Sequence, residues 1–148
     1  STRLLIIQIN LYKLILTAVL WRNLGGKMDD KAKIIEVINL YFDSMYESNA
    51  KLVKQVFHPM AKITGYVEDK LEEMDTNQFA KFIGEQKPSP SDKNDPKKLE
   101  ILSIEIAGKT AVALVRDDHL RVTYLDTLSF LKIDKTWVIY NKLFHIEG

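Results

Sequence analysis

From Leu99 onward the chain alternates apolar and polar residues in four runs, about 99–106, 110–117, 121–132 and 136–146. Only Ala107-Gly-Lys109, Asp117-Asp-His119 and Ile133-Asp-Lys135 separate them. Period-two patterning broken by such short, turn-like joints reads as hairpin-linked strands, and successive hairpins build an antiparallel sheet. The last two runs form a long strand pair, and the first of these carries an acid, Asp126, among apolar neighbours. A carboxylate there is either neutralised by a partner or put to use.

The residues before Leu99 supply the other layer. Asp29 and Asp30 open a predicted helix that runs to about Asn49, with Ile34, Ile38, Tyr41 and Met45 at spacings of four, three and four and Ile35, Phe42 and Tyr46 widening the stripe. Asn49 caps a short helix, Ala50–Phe57, which Pro59 stops. Ala61–Tyr66 alternates as a strand with Gly65 allowing a bend, and Glu68–Met74 continues the hairpin. Thr76 caps a third helix over Asn77–Glu85. The segment 86–98 is polar, rich in turn formers, and reads as a loop. Helices first and hairpins afterwards argue an α+β fold with the helices on one face of the sheet.

A chain of 148 residues is one domain of ordinary size, large enough to bury a core. Cysteine is absent, which excludes disulfides, thiolate metal sites and cysteine nucleophiles. His58, His119 and His145 are far apart and lack metal-ligand spacing, so no metal is expected. Phosphate loops, nucleophile elbows and dinucleotide fingerprints are missing, and no cofactor is expected.

The net charge of +1 averages two unlike pieces. Residues 1–27 carry Arg3, Lys13, Arg22, Lys27 and no acid, which leaves 17 basic and 20 acidic residues, or −3, for the remainder. A slightly acidic domain argues against a nucleic-acid partner. Leu4–Trp21 has the length of a membrane helix, but Gln8, Asn10 and Lys13 interrupt it, and a lysine near mid-span costs about 3 kcal/mol. Membrane association is therefore disfavoured, and a cytoplasmic location is expected. Met28-Asp-Asp-Lys31 resembles a domain start, and Gly25-Gly26 before Lys27 is what a bacterial ribosome-binding site gives when translated in frame. Residues 1–27 are accordingly expected to be an extension foreign to the domain at 28–148. If ordered, their apolar side chains should be buried against the domain or a neighbouring subunit.

Three segments together resemble the nuclear transport factor 2-like superfamily: Ile35-Glu-Val-Ile-Asn-Leu-Tyr-Phe-Asp43; Val56-Phe-His-Pro-Met-Ala61 with Gly65-Tyr66; and Tyr124-Leu-Asp126 through Trp137-Val-Ile-Tyr-Asn-Lys142. Within it they are most similar to the branch labelled "putative lumazine-binding", over about residues 30–148. The resemblance implies a cone: a strongly curved antiparallel sheet wrapped by about three helices around a pocket, commonly in a homodimer formed through the sheet. The superfamily holds isomerases, polyketide cyclases, dehydratases and non-enzymatic binding domains, so fold alone leaves function open.

Strand parity puts Tyr124, Asp126, Leu128 and Phe130 on one face. If that face lines the cone, desolvation raises the Asp126 pKa and makes it a candidate general base. His58, near the pocket mouth by resemblance, and the tyrosines Tyr66 and Tyr41 are candidate donors to a developing oxyanion. Phe57, Tyr124, Phe130, Trp137 and Asn141 are candidate ligand contacts. Each also has an ordinary structural role open to it. Parity directs Asn141 inward with Trp137 and Ile139 and Lys142 outward, so an Asp126–Lys142 pair would need a bulge. The leading reading is a binding domain for a small apolar or aromatic molecule. A cofactor-independent isomerase, cyclase or dehydratase, and a dimeric scaffold with a vestigial pocket, stay open.

Overall fold

The computed structural model describes residues 2–148, with the side chains of all but 21–28. Three helices, α1 (Thr2–Tyr46), α2 (Ala50–Val56) and α3 (Thr76–Gly84), accompany six strands. These are β1 (Phe57–Val67), β2 (Lys70–Asp75), β3 (Leu99–Ala107), β4 (Thr110–His119), β5 (Val122–Ile133) and β6 (Thr136–Ile146). The chain divides into two compact units, Ser1–Lys33 and Ile34–Gly148.

In the second unit the strands form one curved, open sheet in the order β2-β1-β6-β5-β4-β3, giving the expected α+β architecture. The sheet is mixed rather than wholly antiparallel, because β1 and β6 run parallel. No hairpin joins those two strands, so nothing forces them to oppose each other. The remaining neighbours are hairpin-linked and antiparallel. Their turns use left-handed residue pairs, Glu68–Asp69, Leu120–Arg121 and Asp134–Lys135, or Gly108.

Several boundaries differ from the sequence pattern. The β4–β5 turn sits at Leu120–Arg121 rather than 117–119, because Asp117 and Asp118 pair across the ladder with Tyr124 and Thr123. Helix α2 ends at Val56, and Phe57 opens β1, so Pro59 lies in a strand. The β1–β6 ladder is irregular between Phe57 and Lys62, which accommodates a residue without an N–H. Asp75, not Thr76, caps α3: its carboxylate accepts from the Gln78 amide while the Gln78 side chain accepts from the Asp75 amide. The Thr76 hydroxyl instead donates to the His58 carbonyl at 2.6 Å.

The core is built from the Ile34, Ile38, Tyr41 and Met45 stripe of α1 and the inward residues of the sheet, among them Ile63, Val115, Leu128, Phe130, Trp137 and Ile139. A bulge sets the parity of β6. Ser129 pairs with Asn141 and Phe130 with Ile139, which leaves Tyr140 as an extra residue. Trp137 and Ile139 point inward before it and Lys142 after it, whereas Asn141 is only half-buried.

In the first unit helix α1 has no boundary at Asp29, which pairs instead with Lys33 one turn on, at 2.9 Å. Thr2–Leu20 has a mean hydropathy of 1.6 and is long and apolar enough, by length and composition, to cross a membrane. None of it is buried, contrary to the cover expected for an ordered apolar helix. A helix apolar on nearly every side has no single face that one neighbour could cover.

Candidate functional site

A cavity of about 290 Å³ lies between the inner face of the sheet and α3. Its apolar wall comes from Met45, from Ile63, Val67 and Met74 on β1 and β2, and from Phe79, Phe82 and Ile83 on α3, with Phe144 and Ile146 closing the β6 side. Gly65 makes room for this wall. A methyl group on it would come within 2.5 Å of both the Phe144 ring and the Phe144 carbonyl. The polar side chains of the lining are Glu72, Asp117, His119, Tyr124 and Lys142.

Below the lining lies Asp126, wholly buried on β5. The Tyr41 hydroxyl donates to its Oδ2 at 2.6 Å. The Lys142 ammonium stands 3.9 Å from the same oxygen, 4.9 Å from the Tyr41 ring centroid and 5.0 Å from that of Phe79. Phe57 packs edge-on against both rings and so fixes the Tyr41 hydroxyl over the carboxylate. Burial, then the two carboxylates, hold the Tyr41 pKa well above the usual phenol value, so it stays a donor.

Asp117 is the second acid. Val115 pairs with Asp126 and Asp117 with Tyr124, which makes the two acids diagonal neighbours on one face. Burial first and the Asp126 charge second push the Asp117 pKa up to about 8, against the pull of Lys142. At neutral pH Asp117 is therefore a carboxylic acid, able to donate as well as accept. Side-chain hydrogen bonds tie it to Asp126 and to Tyr41, so the three groups form one buried cluster. At the cavity's edge the His119 Nε2 lies 2.7 Å from the Gln86 Oε1. Burial, followed by the charges of Lys142 and Lys93, lowers the His119 pKa to about 4. The neutral ring then carries its proton toward Gln86 and offers Nδ1 as an acceptor.

Of the residues singled out from sequence, Asp126 and Tyr41 meet beneath the cavity, and Tyr124 lines it with its ring edge-on to Phe144. Phe57, Phe130 and Trp137 belong to the core and do not line it. His58 is away from the cavity, where Nδ1 accepts from the Met60 amide at 3.0 Å and the ring leans on Tyr140. Tyr66 is 63% exposed. Asn141 does not line the cavity either, because the Tyr140 bulge turns Lys142 inward in its place. Sequence reasoning passed over Asp117 and His119 as turn residues. The available signal was parity: Ala111, Ala113 and Val115 are inward, and continuing that series two residues reaches Asp117.

A family profile described as "Putative lumazine-binding" matches residues 29–145. The chain belongs to this family. The fold also matches solved NTF2-like proteins of unknown function. One from Silicibacter pomeroyi DSS-3 is 18% identical with a TM-score of 0.74 over 82% of this chain and 98% of that one. Another, from Methylobacillus flagellatus KT, is 29% identical with a TM-score of 0.71 over 81% and 94%. The family match and the Methylobacillus flagellatus neighbour identify the superfamily as nuclear transport factor 2-like, and the Silicibacter pomeroyi protein shares the fold. Among curated proteins, the aldolase FrzH of Cladobotryum sp. is 25% identical over 112 residues, 76% of this chain and 87% of that protein. Family and fold together mark a ligand-binding or SnoaL-like domain.

Proposed function

We propose that this family member binds a small, mostly apolar carbonyl compound in the cavity and exchanges a proton with it through Asp117. The observation that carries the reading is the convergence of an acid and a lysine, Asp117 and Lys142, on one largely apolar cavity. The ammonium and the acid hydrogen can both donate to a carbonyl oxygen, and the ionised form of Asp117 can take a proton from the adjacent carbon. Asp126 fits that role less well. It does not line the cavity, and its Oδ2 is engaged by Tyr41. Asp126 instead raises the affinity of Asp117 for a proton and balances Lys142. An aldol reaction also begins with removal of a proton next to a carbonyl, which is consistent with the name of the distant FrzH relative. The open cavity argues against a scaffold whose pocket is filled by its own side chains.

Exchange of the α-protons of cyclohexanone in deuterated water, followed by NMR, tests the reading. The protein is expected to accelerate exchange, and Asp117→Asn to lose about a hundredfold of that acceleration. Equal rates for the two proteins would remove Asp117 from the chemistry.

A homodimer through the outer sheet face is part of the proposal, supported by the exposed apolar side chains of Val112 and Leu143 there. Light scattering on a chain starting at Met28 is expected to give twice its monomer mass. A charge at Leu143, as in Leu143→Glu, is expected to halve it.

A further inference from the structure

We propose that Lys142 is a nucleophile: its amine condenses with an aldehyde or ketone held in the cavity to form an imine, with Asp117 relaying the protons. This rests on the reading of the cavity as a site for carbonyl compounds and adds a covalent step to it.

The position of Lys142 is the first reason. Regular alternation along β6 would turn this side chain to the outer face, and the extra residue Tyr140 reverses that. The bulge therefore puts a long cationic side chain into a largely apolar cavity, leaving it 6% exposed. Burying an ammonium is costly unless oxygen acceptors surround it. Here the surroundings are thin. The Asp126 oxygen at 3.9 Å is too far for a hydrogen bond, and the Met45 sulfur, also at 3.9 Å, is a weak acceptor. The other near groups are the faces of Tyr41 and Phe79. A lysine kept for structure would be expected to sit in hydrogen-bonding contact with its carboxylate. This one is ion-paired at 3.9 Å and, among the described residues, has no oxygen in hydrogen-bonding contact with its nitrogen.

The second reason is the adjacent acid–base group. Asp117 lines the same cavity, and its hydrogen bonds to Asp126 and Tyr41 give its proton a place to go and come from. Ionised Asp117 takes a proton from the ammonium, and the nitrogen lone pair then forms the C–N bond to the carbonyl carbon. The carbonyl oxygen receives that proton from Asp117 and becomes the hydroxyl of a carbinolamine. Asp117 accepts the second nitrogen proton and passes it to the hydroxyl, which leaves as water while the nitrogen lone pair completes the C=N bond. The amine and carbonyl thus become a protonated imine and one water, with no oxidant or reductant consumed. The iminium draws electrons from the neighbouring carbon and makes the proton there easier for Asp117 to remove, which joins this step to the proposed proton exchange.

Benzaldehyde with sodium cyanoborohydride tests this directly, because reduction fixes an imine as a stable benzyl-lysine. After brief treatment of the folded wild-type chain, peptide mapping is expected to show Lys142 modified about a hundredfold faster than the exposed lysines, the lower end of what positioned acid–base groups supply. Asp117→Asn is expected to lose most of that advantage while retaining the lysine. Thermal melting with benzaldehyde alone, followed over concentration, separates binding from covalency. A saturable shift with adducts only on exposed lysines would overturn the imine and leave the binding reading intact. No shift and no Lys142 adduct would overturn both. The wild-type map needs no variant at Lys142, so a folding defect in such a variant would not obscure the result.

Discussion

Asp117 and His119 are two residues apart on β4, and the fold holds both uncharged at neutral pH for the same reason, burial. Their effects on stability have opposite signs. Asp117 has a folded pKa of about 8, above its unfolded value, so between about pH 4 and 8 the folded chain holds a proton that the unfolded chain has released. Its contribution to stability is present in full at low pH and is lost as pH rises through that window. His119 has a folded pKa of about 4, below its unfolded value. Its contribution is present above about pH 6.5 and is lost as pH falls toward 4. Between about pH 4 and 6.5 the two slopes cancel, and between about 6.5 and 8 only Asp117 acts. Urea unfolding is therefore expected to show these two groups' stability level at acid pH and falling by up to about 1.4 kcal/mol per unit from pH 6.5 to 8. Asp117→Asn should abolish the upper decline and expose a loss of stability below pH 6.5. If the upper decline persists in that variant, Asp117 is not the group responsible.

At the scale of elements, the order of helices and strands and the inward parity of β5 were legible in the sequence, because period-two and period-3.6 patterns record which face is buried. The Tyr140 bulge was not. A bulge leaves apolar alternation intact on both sides and announces itself only in the partner's register, which one strand cannot reveal. That single residue decided whether Asn141 or Lys142 faced the cavity. Asp117 was hidden differently: Asp-Asp-His has turn composition, yet the real turn at Leu120–Arg121 uses two left-handed residues of types that do not advertise it. Gly65 was read as a bend, and its role is close approach. A β-carbon there meets the Phe144 ring and carbonyl, each at 2.5 Å. Because a carbonyl in a strand cannot rotate aside, Gly65→Ala must shift β1 against β6. The expected cost is about 1–3 kcal/mol in urea, as for overpacked cores, with a weaker response of the cavity to ligands. An unchanged unfolding midpoint would mean that the β1 edge moves freely.

Across the whole molecule, the buried hydrophobic residues among those described begin at Ile34, and the family match begins at residue 29. Thr2–Leu20 by contrast presents an apolar surface of which none is buried. A segment that buries nothing contributes little to stability, and exposed apolar surface of that extent drives association with itself, detergent or lipid. A chain starting at Met28 is therefore expected to melt within about 2 °C of the full chain, a shift corresponding to well under 1 kcal/mol for a domain of this size. Its scattering should be that of a single small species, whereas the full chain should be larger, or should sediment with vesicles. The proton exchange and imine trapping should survive the truncation, since every group they require lies between Tyr41 and Ile146. A drop in melting temperature of about 10 °C or more would mean instead that residues 1–27 stabilise the sheet domain.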